Sequence, residues 1–311
     1  MTFRVVITGA AGLVGQNLIP RLKDDPRLEL VALDKHAGNM DVLRHMHPGV
    51  TAVTADLADP GPWEDIVRSA DAIVCLHAQI GGINDAIFAR NNVEATQRVI
   101  AAAREGRCSY IVHASSSVLN SKAHDIYIVT KKAQEELIRN SGIAHAVLRP
   151  TLMFGWFDRK HLGWLKRFME RTPVFPIPGD GRYLRQPLYA GDFSAIVASC
   201  LTRRIEGLYE ITGRERVDFI DLIRIVREES GLSTPILKIP YWLFDGLLRL
   251  YALFDRDPPF TSAQLKALAT PDVFEVIDWP GIFGVTPTPL REAIRRTFRD
   301  PVYSAIVLEF G

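Results

Sequence analysis

Short apolar runs and helical patterns alternate along the first half of the chain. The run from Phe3 to Ile7 is rich in β-branched residues and leads into a helical pattern, and the same order then recurs. Near-continuous apolar strands separated by helices are typical of a parallel sheet covered on both faces. Strands are predicted at 3–8, 28–34, 50–54, 71–77, 109–114 and 144–149, and helices near 13–24, 83–104 and 125–140.

The first strand leads directly into a glycine-rich turn, TGAAGLVG, from Thr8 to Gly15. Glycines let the backbone approach a phosphate, and the helix that follows offers free N–H groups and the positive end of its dipole. The second strand ends in Asp34, 19 residues after Gly15, which is about the spacing of a carboxylate that binds a cofactor ribose. A dinucleotide site is therefore predicted at Gly9, Ala11, Gly12, Leu13, Val14 and Asp34.

Asp34 also bears on the choice between NAD and NADP. Its carboxylate would repel the 2′-phosphate of NADP, which favours NAD. Lys35 and His36 follow directly, and cations at these two positions could accept a phosphate. We expect NAD, keep NADP as the alternative, and place Lys35 beside the cofactor.

The second half of the chain has a different pattern. Five prolines fall between residues 150 and 187, and a chain of 311 residues is long enough for a second domain. The segment 188–212 returns to a strand and helix pattern and is expected to rejoin the sheet. We predict an α/β fold with a Rossmann-type doubly wound parallel sheet formed mainly by 1–186. A second, smaller substrate domain is predicted over 213–311, with 151–186 contributing to it.

Composition excludes several classes of function. The 37 basic residues are balanced by 36 acidic ones, so nucleic acid is not an expected partner. Cys75, Cys108 and Cys200 lack metal-ligand spacing and fall in or beside apolar stretches, which predicts buried free thiols and no metal. With neither a signal-peptide pattern nor an apolar run long enough to span a membrane, we expect a cytoplasmic protein.

Two stretches beyond the sheet stand out. Residues 241–254 are strongly apolar, which predicts a helix buried against its own domain or at a subunit interface. Membrane attachment is less favoured, because few lysines or arginines accompany the aromatic residues. The segment 278–284 contains Pro280 and two glycines and is predicted to be a loop without chemistry.

A tyrosine and a lysine open the helix predicted at 125–140. Tyr127 and Lys131 are four residues apart and therefore share one helix face. A lysine cation near the phenol should lower its pKa toward working pH, so that the tyrosine can exchange a proton with a substrate hydroxyl. Ser115 and Ser116, at the end of the fifth strand, are both candidates to hydrogen-bond the reacting oxygen.

These motifs, in this order, resemble the short-chain dehydrogenase/reductase superfamily in its extended branch, the nucleotide-sugar epimerase, dehydratase and reductase group. The resemblance covers most of residues 3–212 and includes the glycine-rich turn and the Tyr127–Lys131 pair. Further segments resemble family motifs: Asp56-Leu57, Leu76-His77-Ala78, Asn92 to Thr96, Arg149-Pro150 with Phe154-Gly155, Gly179 to Arg185, and Asp192.

The resemblance implies further site residues. It implies cofactor contacts from Asp56, Leu57, Leu76, His77, Ala78, Asn92 and Pro150, and substrate contacts from Ser117, Arg182 and Arg185. The guanidinium of Arg185 suits a diphosphate because it can bind phosphate oxygens in a bidentate manner, and Arg182 is its alternative. His77 is larger than the family's usual alanine, and both His77 and His113 are expected to be core histidines rather than bases.

The resemblance implies a homodimer formed by the helices near 83–104 and 125–140, and an NAD-dependent epimerase acting on a nucleotide-linked sugar. Two alternatives remain, an NAD(P)H-dependent ketone reductase and a non-catalytic cofactor-binding scaffold. The scaffold is considered because Tyr127 follows Ser116 by only 11 positions in the sequence, a shorter spacing than the family usually has. This shortened loop also resembles atypical branches, some of which have lost catalysis.

Overall fold

The computed structural model describes residues 2–82, 84–120, 125–251, 265–266 and 274–309. A π-helical turn lies at Ala89–Glu94, and a short 3₁₀ turn lies at Ser117–Asn120. Up to Pro150 the elements are β1 (Phe3–Thr8), α1 (Leu13–Leu22), β2 (Leu28–Asp34), α2 (Ala37–Met46), β3 (Thr51–Thr54), α3 (Trp63–Arg68), β4 (Ala72–Cys75), α4 (Asp85–Phe88), α5 (Ala95–Glu105), β5 (Tyr110–Ala114), α6 (Ile126–Arg139) and β6 (Ala144–Pro150).

The second half contributes shorter strands and six helices within the described ranges. Its elements are β7 (Met153–Phe154), α7 (Leu162–Arg171), β8 (Phe175–Pro178), β9 (Leu184–Arg185), β10 (Leu188–Tyr189), α8 (Ala190–Arg203), β11 (Gly207–Ile211), β12 (Val217–Asp218), α9 (Phe219–Glu229), β13 (Ile236–Ile239), α10 (Tyr241–Tyr251), α11 (Trp279–Phe283) and α12 (Leu290–Arg299).

Seven parallel strands form the central sheet in the order β11-β6-β5-β4-β1-β2-β3. The predicted doubly wound parallel fold is confirmed. Alternation along β1 explains why both faces are covered: Val5 and Ile7 pack on the side of α1 and α8, whereas Val6 packs on the side of α3 and α5. β11 joins the edge of the sheet beside β6 and follows α8.

The glycine-rich turn fits only because two of its glycines lack a side chain. Gly9 has φ +67°, and a Cβ atom there would lie 2.5 Å from the backbone nitrogen of His77. A Cβ atom on Gly15 would lie 2.3 Å from the Ala10 oxygen. These contacts bring α1 close to β1 and β4 and hold the turn against the sheet.

A separate apolar cluster holds the second half together. Phe154, Phe175 and Ile177 pack with side chains of α9 and α12, including Ile223 and Ile294. β8 pairs in parallel with β13, and β9 pairs in antiparallel with β12. These small sheets and helices form a second apolar core, separate from the two clusters on the faces of the central sheet.

Two expectations for the second half were wrong. The predicted loop at 278–284 contains the short helix α11, because Asp278 caps it and both Trp279 and Phe283 are buried in the main core. The apolar helix α10 is not buried against its own domain: Trp242 is 74 % exposed and Leu250 53 %. Its predicted continuation over 252–254 lies outside the described residues, and the interface alternative stays a prediction. No helix in the described ranges is long and apolar enough to cross a bilayer.

The three cysteines are free, as predicted. Cys75 and Cys200 are buried and Cys108 is partly buried, so all three behave as core or near-core thiols. Burial raises the pKa of the Cys75 and Cys200 thiols to about 12, which keeps them protonated and unreactive.

Candidate active site

A cavity of about 1010 Å³ opens where the carboxyl ends of the central strands face the second half of the chain. This is the edge at which open α/β sheets bind their ligands. Most of the predicted site residues line the cavity: Gly9, Gly12, Leu13, Val14, Asp34, Lys35, Asp56, Leu57, Leu76, His77, Ala78, Ser115, Ser116, Ser117, Tyr127, Lys131 and Pro150. Four predicted residues, all in described ranges, are not among its lining: Ala11, Asn92, Arg182 and Arg185.

The glycine-rich turn leaves room for a phosphate. Gly12 caps α1 without a side chain, and a Cβ atom there would meet only the Gly9 oxygen, at 3.4 Å. Asp34 Oδ2 accepts a hydrogen bond from the Ala11 N–H at 3.0 Å, and Oδ1 accepts one from the His36 N–H at 3.0 Å. Ala11 therefore acts through its backbone, by fixing the carboxylate beside the turn.

These observations fit a dinucleotide. The open side of Gly12 and the first turn of α1 would receive the pyrophosphate, and Asp34 would receive the adenosine ribose. The His36 ring caps α2 by accepting a hydrogen bond from the Asn39 N–H at 3.3 Å. It is therefore engaged in the helix rather than aimed at a 2′-phosphate.

Side chains of the π-helical turn contact two further parts of the cavity wall, one at Asp56 and one at Gln79. Arg90 pairs with Asp56 and Asp59, each at 2.8 Å. Burial is the largest single influence and tends to raise the pKa of Asp56, but the hydrogen bonds from Arg90 and Ala58 and the charges of Lys35 and Arg90 together outweigh it, and the pKa is lowered. Asn92 does not face the cavity. Its Oδ1 accepts a hydrogen bond from the Gln79 N–H at 2.6 Å, so Asn92 positions the Gln79 segment, which does line the cavity.

Tyr127 and Ser116 lie together on the cavity wall. Burial raises the pKa of the Tyr127 phenol, while a hydrogen bond from Ser116 opposes that rise. The sequence left Ser115 and Ser116 as alternatives, and the structure places Ser116 beside the phenol. Ser115 instead donates a hydrogen bond of 2.6 Å to Glu135.

Glu135 is the centre of a buried charge cluster behind the site. Arg149 contacts both of its carboxylate oxygens, at 2.7 and 2.9 Å, and also pairs with Glu210 at 3.0 Å. Removing one partner of such a pair would leave a buried charge unpaired. Ser115 belongs to this cluster, which fixes the end of β5 against α6 and β6.

Lys131 is almost fully buried, and its ammonium is held by the protein itself. Nζ donates to the Ala114 carbonyl at 3.0 Å and to Gln134 Oε1 at 2.6 Å. Burial lowers the pKa of Lys131 to about 7. The predicted lowering of the Tyr127 pKa by Lys131 is wrong. Desolvation of the phenol is the dominant influence, and it raises the Tyr127 pKa.

The predicted diphosphate ligands lie elsewhere. Arg182 is exposed and pairs with Asp218 at 3.4 Å, and the Arg185 guanidinium lies 5.4 Å from the centre of the Tyr183 ring. From the same half of the chain, Lys160 and His161 line the cavity instead.

Sequence reasoning missed several residues of the cavity wall. The lining residues from the second half of the chain lie in no local sequence motif, whereas Asn91 is adjacent to the segment Asn92 to Thr96, which resembles a family motif. The additional lining residues include Gln79, Ile80, Asn91, Val118, Asn120, Thr151, Leu152, Met153, Lys160, His161 and Phe274. Within the described ranges, no cluster of three or more histidine, cysteine or acidic side chains could hold a metal ion.

The fold and the cavity define a Rossmann-type dinucleotide protein of the extended short-chain dehydrogenase/reductase class. Residues 5–211 match the model of the NAD dependent epimerase/dehydratase family. The chain therefore belongs to this family, in agreement with the predicted resemblance.

Individual proteins are similar over most of the chain. The low-salt glycan biosynthesis protein Agl12 of Haloferax volcanii is 29 % identical over 221 residues, 60 % of this chain and 69 % of that one. An uncharacterized UDP-glucose epimerase of Bacillus subtilis, YtcB, is 25 % identical over 262 residues, 73 % and 82 % of the two chains. The structure of UDP-glucuronic acid 4-epimerase from Bacillus cereus in complex with NAD aligns with a TM-score of 0.74 at 19 % identity, covering 94 % and 97 %.

Proposed function

We propose that the protein is an NAD-dependent epimerase that acts on a nucleotide-linked sugar. The observation that carries this proposal is the Tyr127–Ser116 pair on the wall of the same cavity that holds the glycine-rich turn. Epimerases of UDP-sugars among the similar proteins support the substrate class.

The chain's own residues supply the acid–base chemistry. NAD, when bound, supplies reversible hydride exchange with the carbon that carries the sugar hydroxyl. Tyr127 takes the hydroxyl proton and later returns it, and Ser116 hydrogen-bonds the same oxygen. Burial raises the pKa of Tyr127, so the neutral phenol is the favoured form and the oxidising half-reaction must begin from the deprotonated phenolate. The phenolate takes the hydroxyl proton there, and the resulting phenol donates that proton in the reducing half-reaction. Inversion requires the transient keto sugar to turn within the cavity before it is reduced.

NAD is favoured over NADP by the residues around the ribose site. The Asp34 carboxylate faces the cavity and is fixed there by two backbone N–H groups. A phosphate placed beside it would be repelled. Lys35 also lines the cavity, and we assign it to the adenosine end of the cofactor.

We assign the substrate diphosphate to Lys160 rather than to Arg182 or Arg185. Lys160 lines the cavity, and its Nζ lies 3.6 Å from the position that a Cβ atom on Gly81 would take. The ammonium therefore reaches across to the Gln79 segment. Ser117, also on the cavity wall, remains our candidate for a contact to the sugar.

The test is an interconversion assay with a panel of UDP-sugars and no added cofactor, followed by ¹H NMR. An epimerase is expected to purify with NAD and to convert at least one sugar in both directions. Consumption of stoichiometric NADH or NADPH would favour the reductase. Failure to turn over any sugar, with NAD bound, would favour the scaffold.

Two further properties follow from this assignment. A homodimer through α5 and α6 is supported by a shallow groove on their outer faces that includes Ala101, Ala133 and Leu137. Analytical ultracentrifugation that detects only monomer would exclude it.

Three free thiols support a cytoplasmic location, which fractionation of expressing cells can test.

A further inference from the structure

Lys131 is connected to the glycine-rich turn by a continuous buried chain of polar side chains. Gln134, one turn further along α6, accepts the 2.6 Å hydrogen bond from Lys131. Its amide group then donates to the His77 carbonyl at 3.0 Å and to Thr96 Oγ1 at 2.9 Å. Both N–H hydrogens and the oxygen of this buried side-chain amide are therefore hydrogen-bonded.

The chain continues through His77 to the start of the turn. His77 Nε2 lies 2.9 Å from Thr96 Oγ1, and His77 Nδ1 lies 2.7 Å from Thr8 Oγ1. Thr8 is the last residue of β1 and precedes Gly9. His77, which is larger than the alanine usual in the family, therefore links Lys131 to the glycine-rich turn.

The hydroxyl protons constrain the directions of these bonds. With Thr96 donating its hydroxyl proton to the Asn92 carbonyl at 2.7 Å, Thr96 accepts from both Gln134 and His77. This arrangement assigns His77 the neutral tautomer with its proton on Nε2. Nδ1 then accepts from Thr8, whose Oγ1 also lies 3.4 Å from the Val74 carbonyl oxygen. A second proton on His77 would turn Nδ1 into a donor and break this order. Burial also lowers the pKa of His77 to about 3.

We propose that Gln134 is a positioning residue that fixes Lys131 in the site and, through Thr96 and His77, couples the lysine to the glycine-rich turn. The significance of this coupling for turnover rests on the proposed function. The geometry itself concerns only residues of this chain and can be tested without a substrate.

The choice of glutamine has an electrostatic consequence. Cys75 on β4 and Glu135 on α6 are titratable groups that influence Lys131. Lys131 in turn contributes to the lowered pKa values of His77 and of His113 on β5. The carboxylate of Glu135 is engaged by Arg149 and Ser115. Gln134 thus provides an acceptor for the ammonium without adding a charge. A glutamate at position 134 would add a negative charge in direct contact with the Lys131 ammonium.

The test is an NMR titration of lysine ε-¹³C signals, with Lys131 assigned from the spectrum of Lys131→Met. The wild-type Lys131 signal is expected to titrate near pH 7. Gln134→Glu should raise the midpoint by about one to three units, because an opposite charge lies in contact. Gln134→Met should lower it, because the ammonium loses an acceptor. Midpoints that do not move in Gln134→Glu would overturn the proposal.

Thr96→Val tests the rest of the chain and keeps the proposal falsifiable if Gln134→Met does not fold. ¹⁵N-histidine spectra of wild type should report the Nε2–H tautomer of His77, and Thr96→Val should populate the other tautomer. An unchanged single tautomer in Thr96→Val would exclude the coupling. Gln186→Met is the matched control, since Gln186 is also buried and bridges backbone groups at Gly213 and Phe274. It should leave both the Lys131 midpoint and the His77 tautomer unchanged.

An activity readout separates this proposal from the proposed function. If UDP-sugars are interconverted, Gln134→Glu should shift the alkaline limb of the kcat profile upward together with the Lys131 midpoint, and KM should change little. If no sugar is turned over but the NMR shifts are observed, the proposed function fails and the positioning role stands. A shift of the Lys131 titration midpoint without any shift of the pH profile of kcat would exclude a role of Gln134 in turnover.

Discussion

The two ends of the cavity are built in different ways. At the cofactor end, the lining side chains follow directly from strand ends, and backbone hydrogen bonds fix the key carboxylate, Asp34. At the substrate end, Lys160 and His161 come from a loop before α7, and Phe274 comes from a segment more than 100 residues later. The cofactor end is a local construction, whereas the substrate end is assembled by tertiary packing.

This difference explains why a shared cofactor site can serve different substrates. The fold dictates the turn, because Gly9 and Gly15 have no space for a side chain. The wall opposite draws its lining residues from segments that lie far apart in the sequence. Function within a common fold is therefore decided by the variable wall.

The largest effect is expected where the two ends meet. Tyr127→Phe removes the proton carrier and should lower kcat for sugar interconversion by about 10²–10⁴-fold, while NAD stays bound. Ser115→Ala is a useful comparison, because Ser115 is engaged by Glu135 and should affect stability more than turnover. Turnover of Tyr127→Phe within a few-fold of wild type would show that the acid–base assignment is wrong.

At the cofactor end, Gly9→Ala should be severe. The new Cβ atom would lie 2.5 Å from the His77 backbone, so over-packing of about 1–3 kcal/mol adds to a left-handed backbone cost of about 1–2 kcal/mol. Urea denaturation and NAD calorimetry should record lower stability and loss of binding. Gly142→Ala is the control, with φ +74° and open space, and should show only the backbone cost. Equal losses in both variants would contradict the close approach of the turn to His77.

The sequence was a good guide to the cofactor end and a poor one to the substrate end, for a physical reason. Gly12, Asp34 and Tyr127 lie within short segments whose geometry is set by one strand and one helix. Arg185 was inferred from a motif, yet its position depends on how β9 pairs with β12 across 32 residues of sequence. No local pattern reports that packing.

Two elements of the second half differ from prediction for the same physical reason. Pro280 and two glycines suggested a loop at 278–284, but burial of Trp279 and Phe283 and a cap from Asp278 stabilise a short helix there. The apolar pattern of α10 correctly indicated a helix. Periodicity alone could not say whether a partner would cover it.

At the substrate end, Lys160→Met should weaken UDP binding about tenfold, as expected from losing one charged hydrogen bond at a partly exposed position. NAD binding should not change. Lys166→Met is the matched control, because Lys166 lies on α7 and pairs with Glu170. Calorimetry with UDP in which Arg182→Met or Arg185→Met weakens binding more than Lys160→Met would reject our assignment of the diphosphate site.

The smallest effect concerns pH and the sheet behind both ends. Burial lowers the pKa of His113 well below its usual value, so below about pH 6.5 the unfolded chain binds a proton that the folded chain does not. Stability should therefore fall as pH decreases from 6.5, with a contribution from His113 of about 1.4 kcal/mol per pH unit.

Urea denaturation between pH 5 and 7 measures this slope. His113→Gln should reduce it, whereas His45→Gln, at an exposed histidine, should leave it unchanged. The same slope in wild type and His113→Gln would mean that His113 is protonated in the folded state.

The central step of the proposed reaction is reversible hydride exchange at one carbon of the sugar, with Tyr127 carrying the proton. The most direct test uses a nucleotide sugar that turns over and carries deuterium at the carbon that is inverted. We predict that the epimeric product retains its deuterium in ordinary water, because the hydride returns to the carbon from which it came. Replacement of the deuterium by solvent hydrogen would contradict this mechanism.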